Sequence, residues 1–152
     1  MYFGFNDIYV NYGKKEVLKG LTLDIPRGKI VSLIGQNGCG KSTLLKTVSK
    51  AVTPRRGEII YLDQKISSYQ HKRLAQKIAY LAQVHESPPD IDVRTLVSYG
   101  RFPYSHFGRG MTSDDGEIID RAISLTGLTH LRERILSTLS GGERQRAWIA
   151  MT

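Results

Sequence analysis

The sequence predicts an α/β domain, and three features of the chain carry that prediction. An apolar run at residues 30–34 passes through a glycine-rich loop into a helix-like run at 44–48, which is the order strand, loop, helix. Apolar residues alternate loosely at 2–12 and more regularly at 17–25, as they do in β-strands. After residue 90 the spacing becomes helical. A chain of 152 residues has the length of one domain with a buried core.

The first half of the chain is predicted to consist mainly of strands. Residues 2–12 and 17–25 are expected to form two strands joined by a turn at residues 13–15. The run at 29–34 is nearly all apolar, so we expect a strand that is covered on both faces. The remaining predictions are a helix from the glycine-rich loop to about Ala51, strands at 58–62 and 78–83, and a short helix at about 70–77.

The second half is predicted to be helical. One helix covers 92–99, and a loop rich in aromatic residues and glycine follows at 100–111. Thr112 is expected to cap the next helix, and Gly127 to close it. A last helix begins at Ser140. The apolar face of the middle helix is predicted to comprise Ile118, Ala122 and Leu125.

Composition narrows the class of protein. The balance of 22 Lys and Arg against 14 Asp and Glu gives a net charge of +8, which suits nucleic acid, anionic lipid or ligand phosphates as partners. No block of five like charges occurs, so an even spread over a solvated surface is the favoured interpretation. One cysteine excludes an internal disulfide and a cysteine metal cluster. We find neither a secretory signal pattern nor the roughly 18 apolar residues of a membrane span, which fits the cytosol.

The glycine-rich loop, residues 35–43, has the spacing of a P-loop. Its backbone N–H groups can converge on phosphates only where side chains keep clear, which glycine allows. Lys41 is expected to reach the β- and γ-phosphates, and Ser42 to place its hydroxyl on Mg²⁺. We therefore predict a nucleoside triphosphate site, against the alternative of an ordinary turn that caps a helix. The predicted binding residues are Gly35, Gln36, Asn37, Gly38, Cys39, Gly40, Lys41, Ser42 and Thr43.

A second motif, which we call the signature segment, covers residues 139–145. Ser140 with Glu143 predicts a capping box, which by itself indicates only a capped helix. It does not explain Gly141 and Gly142, since each glycine in a helix costs about 0.5–1 kcal/mol relative to alanine. Glycines at a helix N-terminus leave room for an anion, so the segment predicts a second phosphate-binding end.

With these motifs the chain resembles the nucleotide-binding subunit of an ABC transporter. Tyr12 precedes the loop like the aromatic residue that stacks on adenine, and Gln83 looks like the family's Q-loop glutamine. The glycine-rich loop matches Walker A, and the signature segment matches the family's signature motif. Residues 96–104 and 143–151 look most like the ATPases that serve ferric-siderophore, haem and cobalamin importers.

The resemblance implies roles for the site residues, with ATP and Mg²⁺ as cofactors. Tyr12 would stack on adenine, and Thr43 would contact the α-phosphate. Lys41 and Gln83 would be the catalytic residues, and Ser42 and Gln83 would serve Mg²⁺. The signature residues would close on the γ-phosphate of a second subunit; these are Ser140, Gly141, Gly142 and Glu143.

The resemblance also implies an architecture and partners. The fold would be a P-loop NTPase (RecA-like) ABC ATPase core with an antiparallel β subdomain and an inserted helical subdomain. Residues 1–85 would form the β subdomain and the P-loop part of the core, 86–138 the helical subdomain, and 139–152 the signature motif and the start of its helix. The partners would be a second ATPase subunit and integral membrane permease subunits, with no nucleic acid. The location would be cytoplasmic, peripheral on the inner face of the cell membrane. The loop at 101–109 would either dock the permease or pack locally.

The chain departs from the family pattern after the signature segment. We find no apolar run ending in Asp-Glu, which would be Walker B with the general base, and no histidine in the context of the family's switch. For the four histidines, His71, His85, His106 and His130, a surface or packing role is expected. We therefore expect a C-terminally truncated chain with an incomplete sheet, bare strand edges, weak nucleotide binding and no useful rate of hydrolysis.

Three alternatives stay open on sequence grounds. A non-transport ABC ATPase acting on nucleic acid or ribosomes would fit the basic charge, but the long coiled-coil insertions usual there are missing. A P-loop kinase or GTPase would not need the signature segment. A fragment that binds nucleotide without catalysis differs from the first interpretation only in whether a longer gene product exists.

Overall fold

The computed structural model of the chain describes residues 2–83, 90–105 and 110–152. The chain divides into two compact units, Met1–Ile78 and Ala79–Thr152. Each unit has an apolar core of its own, as the burial of its hydrophobic side chains shows. The division into 1–85, 86–138 and 139–152 stays a prediction.

The first unit is built on an antiparallel sheet in the order β2-β1-β3-β4. Strand β1 (Phe3–Tyr12) pairs with β2 (Lys15–Ile25), which confirms the predicted hairpin and its turn at Gly13. The other edge of β1 pairs with β3 (Arg56–Tyr61), which turns into the short β4 (Gln64–Lys65).

The middle of β1 carries a bulge. Asp7 lies in the left-handed region (φ 53°), and the pairing of β1 with β3 shifts register there. Its N–H donates to the Thr22 hydroxyl at 3.1 Å, and its carboxylate pairs with Arg56 at 2.9 Å. Gly57 (φ 93°) lies so close to the Asp7 carbonyl that a side chain would clash, so glycine is required there.

Two helices cover this sheet. Helix α1 (Lys41–Val48) follows the glycine-rich loop, and α2 (His71–Ala75) follows a single 3₁₀ turn at Ile66–Ser68. Both contribute to one core, because Leu44 of α1 and Leu74 of α2 are buried. The buried residues of this core are Phe5, Ile8, Val10, Leu18, Leu44, Val48, Ile59, Ile66 and Leu74.

Two predicted strands are wrong: residues 29–34 and 78–83 have no regular secondary structure. A strand exists only through hydrogen bonds to a neighbouring strand, and within the described residues neither run pairs with one. The expectation that 29–34 is covered on both faces also fails, since Ile30 is 97% exposed and Ile34 is 93% exposed. The described sheet is therefore only the antiparallel part of the predicted fold.

The second unit consists of helices, as predicted. Helix α3 (Val93–Tyr99), α4 (Ser113–Leu125) and α5 (Gly141–Met151) pack on one another. Short 3₁₀ turns lie between them at Phe102–Tyr104, Thr129–Leu131 and Leu136–Thr138. The core residues are Val93, Leu96, Val97, Ile119, Ile123, Leu128, Leu131, Leu136, Leu139 and Ala147.

The ends of α4 confirm the predicted caps. Thr112 and Asp115 form a capping box, in which the Asp115 N–H donates to the Thr112 hydroxyl at 3.2 Å and the Thr112 N–H donates to the Asp115 carboxylate at 3.1 Å. At the other end Gly127 (φ 69°) donates to the Ser124 carbonyl at 3.0 Å. Leu128 donates to the Ile123 carbonyl, also at 3.0 Å, which completes a Schellman motif.

The predicted apolar face of α4 is wrong in part. The buried side chains are Ile119 and Ile123, whereas Ile118 is 45% and Leu125 is 78% exposed. The helix carries two adjacent rows of apolar residues, and sequence spacing cannot choose between them. Packing against α3 and α5 decides in favour of the row that contains Ile119.

Helix α5 crosses α3 with almost no space between the backbones. The carbonyl oxygen of Met151 lies where a side chain on Gly100 would begin. Glycine at the end of α3 therefore allows this close approach. None of the helices in the described residues has the length and apolar character needed to cross a membrane.

Candidate functional site

The glycine-rich loop enters α1 through a glycine in the left-handed conformation. Gly40 (φ 101°) is the N-cap of α1 and has no side chain to cap it, and its carbonyl accepts the first helical hydrogen bond from Leu44 at 2.8 Å. A Cβ at Gly40 would lie 2.7 Å from Leu18 Cδ2. Backbone conformation and packing therefore both require glycine at this position.

Lys41 folds back over the loop that precedes it. Its ammonium donates to the carbonyls of Gly35 at 2.7 Å and Gln36 at 2.8 Å, and lies 3.7 Å from the Cys39 sulfur. The loop is closed further by a hydrogen bond from the Cys39 N–H to the Gln36 carbonyl at 3.3 Å. The structure thus brings Lys41 together with three of the predicted binding residues.

The loop offers a positive, accessible surface. Gly35, Gln36, Asn37, Gly38, Cys39 and Ser42 are exposed. The first turn of α1 contains no acidic residue, so the partial positive charge of the helix N-terminus and the Lys41 ammonium are not offset locally. Thr43 lies on the buried face of α1. This arrangement favours a multiply charged anion at the loop.

Tyr12 closes β1, where it pairs with Lys15 across the hairpin turn. Its side chain is 48% exposed, and within the described residues its ring has no aromatic or cation–π partner. A flat ligand could therefore stack on it without displacing another side chain.

Gln83 belongs to the second unit and is exposed. It follows an irregular segment and not the predicted strand. His85 and His106, for which a surface or packing role was predicted, lie outside the described residues, as do the last four residues of the loop at 101–109. The support for Gln83 as a residue that serves Mg²⁺ is therefore that its side chain is exposed and carries an amide oxygen.

The signature segment begins α5 with the predicted capping box. The Glu143 N–H donates to the Ser140 hydroxyl at 3.3 Å, and the Ser140 N–H donates to the Glu143 carboxylate at 2.8 Å. Hydrogen bonds to the Glu143 carboxyl from the Ser140 side chain and from the Ser140 N–H hold its pKa below the ordinary value, and the positive charges of Arg134 and Arg146 lower it further. Glu143 is therefore ionised at neutral pH and keeps the helix start fixed.

The two glycines of the signature segment are not explained by packing. A side chain on Gly141 would meet nothing within 4 Å, and one on Gly142 would meet only the Arg146 guanidinium at 3.8 Å. Neither residue has the positive φ that favours glycine. The glycines therefore leave the first turn of α5 bare, as a site for an approaching anion requires.

Sequence reasoning missed a cluster at the start of α4. The Arg101 Nε donates to the Asp115 carboxylate at 2.7 Å, and the Arg101 guanidinium lies 4.0 Å above the Tyr104 ring. The hydrogen bonds from Arg101 and Thr112 lower the pKa of Asp115 from 3.8 to about 2. Fourteen residues separate Arg101 from Asp115, so no local pattern could have revealed the pair.

An aromatic surface formed by Tyr99, Phe102 and Tyr104 lies next to the Arg101–Asp115 pair. Tyr99 and Phe102 stack with ring centroids 5.2 Å apart, and Phe102 is 63% exposed. Tyr104, whose ring carries the Arg101 guanidinium, is also exposed. Phe102 and Tyr104 lie in the loop at 101–109, for which permease docking and local packing both stay predictions.

The sequence of this chain matches a known protein family and several of its characterised members. A family model described as ABC transporter matches residues 18–152. The chain is 44% identical over 142 residues to the ferric enterobactin transport ATP-binding protein FepC of Escherichia coli (strain K12), covering 93% of this chain and 52% of FepC. It is 44% identical over 143 residues to the iron(3+)-hydroxamate import ATP-binding protein FhuC of Bacillus subtilis (strain 168), covering 93% of this chain and 53% of FhuC.

Solved structures agree with this result. A structure described as a metal-chelate type ABC transporter in an inward-facing conformation matches 99% of this chain and 54% of that one, with a TM-score of 0.82 and 30% identity. An ATP-binding cassette of another ABC transporter matches 99% of this chain and 63% of that one, with a TM-score of 0.86 and 20% identity, which shows the fold alone. The chain spans about half the length of the curated relatives it matches.

Proposed function

This chain belongs to the ABC transporter family, and we propose that it binds ATP through the glycine-rich loop as part of an ATP-binding subunit. The observation that carries the proposal is the position of Lys41, whose ammonium lies across the loop at a helix start without acidic residues. Triphosphate would exchange these carbonyls for its own oxygens, which make stronger hydrogen bonds because they are charged. The loop amides would hold the remaining phosphate oxygens.

Mg²⁺ fits the residues that the sequence offers for it. The Ser42 hydroxyl is exposed at the start of α1, and Gln83 offers an exposed amide oxygen. Both are hard oxygen donors, the kind that Mg²⁺ prefers alongside phosphate and water. When bound, the ion would neutralise charge on the phosphates. Ser42 would hold it from the loop side, and the role proposed for Gln83, which belongs to the second unit, rests on its likeness to the family's Q-loop glutamine.

We propose further that the signature segment acts on the nucleotide of a second ATPase subunit. Its support is the pair of glycines, Gly141 and Gly142, for which neither packing nor φ gives a reason. Ser140 already fixes the helix start through the capping box. An anion that approaches from another subunit would meet the uncovered amides of Gly141 and Gly142 at the helix start, beside the Glu143 carboxylate of the capping box.

The transported substrate proposed for the whole subunit is an iron–siderophore complex. The relatives named above are ATP-binding proteins of ferric enterobactin transport and of iron(3+)-hydroxamate import. Membrane permease subunits would then be partners, with this subunit bound peripherally at the cytoplasmic face. Phe102 and Tyr104 are exposed aromatic residues, of which Phe102 stacks on Tyr99 and Tyr104 carries the Arg101 guanidinium, and exposed aromatic residues suit a protein interface. Crosslinking from Phe102 to a permease would test this contact.

We also propose that these 152 residues by themselves bind nucleotide weakly and do not hydrolyse ATP at a useful rate. The support is that the sequence contains no apolar run ending in Asp-Glu to supply a general base. Phosphoryl transfer to water depends on such a positioning residue and on charge stabilisation. Turnover equal to that of intact family members would contradict the proposal.

The central test is titration of the protein with Mg-ATP by calorimetry, comparing Lys41→Ala with the unchanged chain. Loss of charged hydrogen bonds of about 1.5–3 kcal/mol each should weaken binding at least tenfold. Lys46→Ala is the matched control, because Lys46 is an exposed lysine in the last turn of the same helix. Equal affinities for Lys41→Ala and the unchanged chain would remove the site assignment.

A further inference from the structure

The first unit has a concave surface that is built from residues outside the glycine-rich loop. It is a cavity of about 480 Å³ beside the turn between β3 and β4. We call it the basic pocket, because its lining includes two cations and no acidic residue. The lining residues are Leu62, Gln64, Ser68, Tyr69, Gln70, Arg73 and Lys77.

Helical spacing places three of these side chains in one row. Gln70, Arg73 and Lys77 stand at positions i, i+3 and i+7, which share a face of a helix. Backbone hydrogen bonds from Gln76 to the Lys72 carbonyl at 3.2 Å and from Lys77 to the Leu74 carbonyl at 2.9 Å extend the helical turns beyond Ala75. Leu74, on the same helix, is only 4% exposed and packs in the core. Its burial fixes the rotation of the helix about its axis, and with it the position of the three polar residues.

The opposite wall is also held in place. Leu62 and Asp63 both have positive φ, 50° and 59°, in the two-residue turn that joins β3 to β4. The Leu62 N–H donates to the Tyr2 carbonyl at 2.9 Å, which anchors the turn. Nearby, the Tyr69 hydroxyl donates to the Tyr61 carbonyl at 3.2 Å. The pocket therefore has two walls of defined conformation.

In the part of the chain that the structure describes, the cations of the basic pocket have no partner of their own. Within the described residues, Arg73 and Lys77 make neither an ion pair nor a side-chain hydrogen bond. The lysines of another cavity in this unit, Lys50 and Lys65, differ because both have partners. There Lys50 donates to two backbone carbonyls, and Lys65 pairs with Glu58.

We propose that the basic pocket binds the phosphate group of an anionic ligand. Arg73 would offer two parallel N–H donors to the phosphate oxygens, and Lys77 would act as a point charge beside them. The amide groups of Gln64 and Gln70, which have no side-chain hydrogen bond within the described part of the chain, would donate to the remaining oxygens. The phosphate could belong to a soluble compound or to a lipid headgroup.

The test uses the full chain carrying Lys41→Ala, so that the glycine-rich loop does not contribute. Inorganic pyrophosphate is titrated by calorimetry, and vesicles of phosphatidylcholine with and without phosphatidylglycerol are tested by co-sedimentation. We expect at least one probe to bind, and Arg73→Gln with Lys77→Gln to weaken that binding about tenfold or more. Pyrophosphate binding alone identifies a soluble ligand, and vesicle binding that needs phosphatidylglycerol identifies a headgroup.

Two control proteins make the result specific to the pocket. Lys19→Gln with Lys72→Gln removes the same net charge from exposed positions that do not line the pocket, and should keep the affinity. Arg73→Lys keeps the charge but loses the two parallel N–H donors, so it should weaken binding less than Arg73→Gln does. The proposal is overturned if neither probe binds, or if the control pair weakens binding as much as the pocket pair. Because Lys41 is already replaced, this outcome is independent of whether the chain binds ATP.

Discussion

At the scale of single residues, Asp115 links the start of α4 to the end of α3. Hydrogen bonds from Arg101 and Thr112 lower its pKa from 3.8 to about 2. A carboxyl whose pKa is lower in the folded chain stabilises the fold above its unfolded pKa, and this contribution is lost as the pH falls. The loss should therefore occur between about pH 5 and pH 2.

The pH dependence gives a testable prediction for Asp115→Asn. This variant should melt at a lower temperature than the unchanged chain at pH 6, and the difference should shrink towards pH 2. Circular dichroism melts across that range measure it. Asp114→Asn removes a neighbouring carboxylate from the same turn and is the control. A difference that stays constant with pH would show that the Asp115 charge is not the cause.

Tyr12 provides a second prediction at this scale. If its exposed ring stacks on adenine, Tyr12→Ala should weaken Mg-ATP binding by about 1–3 kcal/mol. Tyr12→Phe keeps the ring and should bind nearly as well as the unchanged chain. Titration calorimetry of the unchanged chain and the two variants with Mg-ATP measures these affinities. Equal affinity of Tyr12→Ala and the unchanged chain for Mg-ATP would rule out stacking.

These residues differ in how far sequence alone reveals them. Lys41 was identifiable because its chemistry depends on neighbours within six positions, and the structure places it against Gly35 and Gln36. The Arg101–Asp115 pair and the basic pocket were not identifiable. Each joins residues that only the packing of helices and turns brings together.

At the scale of elements, Gly116 inside α4 and Gly127, which closes it, should respond to alanine in opposite directions. Gly127 has a φ of 69° in the Schellman motif, so Gly127→Ala should destabilise the chain by about 1 kcal/mol. Gly116 lies inside the helix, and its nearest neighbour, Arg94 Nη2, would be 3.8 Å from a new Cβ. Gly116→Ala should stabilise by about 0.5–1 kcal/mol.

Urea unfolding followed by circular dichroism measures both changes as shifts of the midpoint. The unchanged chain is the reference, and each variant serves as the control for the other because both add one methyl group, one inside α4 and one just after its end. Shifts of the same sign would mean that the end of α4 does not depend on a left-handed residue.

Local signals predicted the elements that are held together locally. The hairpin of β1 and β2 and the caps of α4 depend on residues that are close in sequence, and the structure confirms them. The runs at 29–34 and 78–83 have the composition of buried strands, but pairing needs a partner strand, which the described residues do not supply. The face of α4 was wrong for a similar reason, since its packing partners choose the buried row.

At the scale of the whole molecule, apolar surface is left uncovered. Ile30 and Ile34 are 97% and 93% exposed, next to the glycine-rich loop. Burying one such side chain is worth about 1.5–3 kcal/mol, so two copies of this chain gain by covering these residues together. We therefore predict that the 152-residue chain self-associates at micromolar concentration.

Light scattering tests this prediction with Ile30→Lys. The variant should have a lower average mass than the unchanged chain at equal concentration, since a charge would have to be buried in the contact. Leu125→Lys is the matched control, because Leu125 is an exposed residue of α4 that stands away from the run at 29–34 in sequence. A compact monomer for the unchanged chain, or equal effects of both variants, would contradict the prediction.

The contacts of Lys41 within its own loop affect both the rate of ligand binding and its entropy cost. A free lysine side chain loses roughly 1.5–2 kcal/mol of rotamer entropy when it becomes ordered. Here two carbonyl oxygens already order the ammonium, so this loss accompanies folding and does not recur when a ligand arrives. The side chain needs only to exchange acceptors, and the encounter itself can then set the rate of capture.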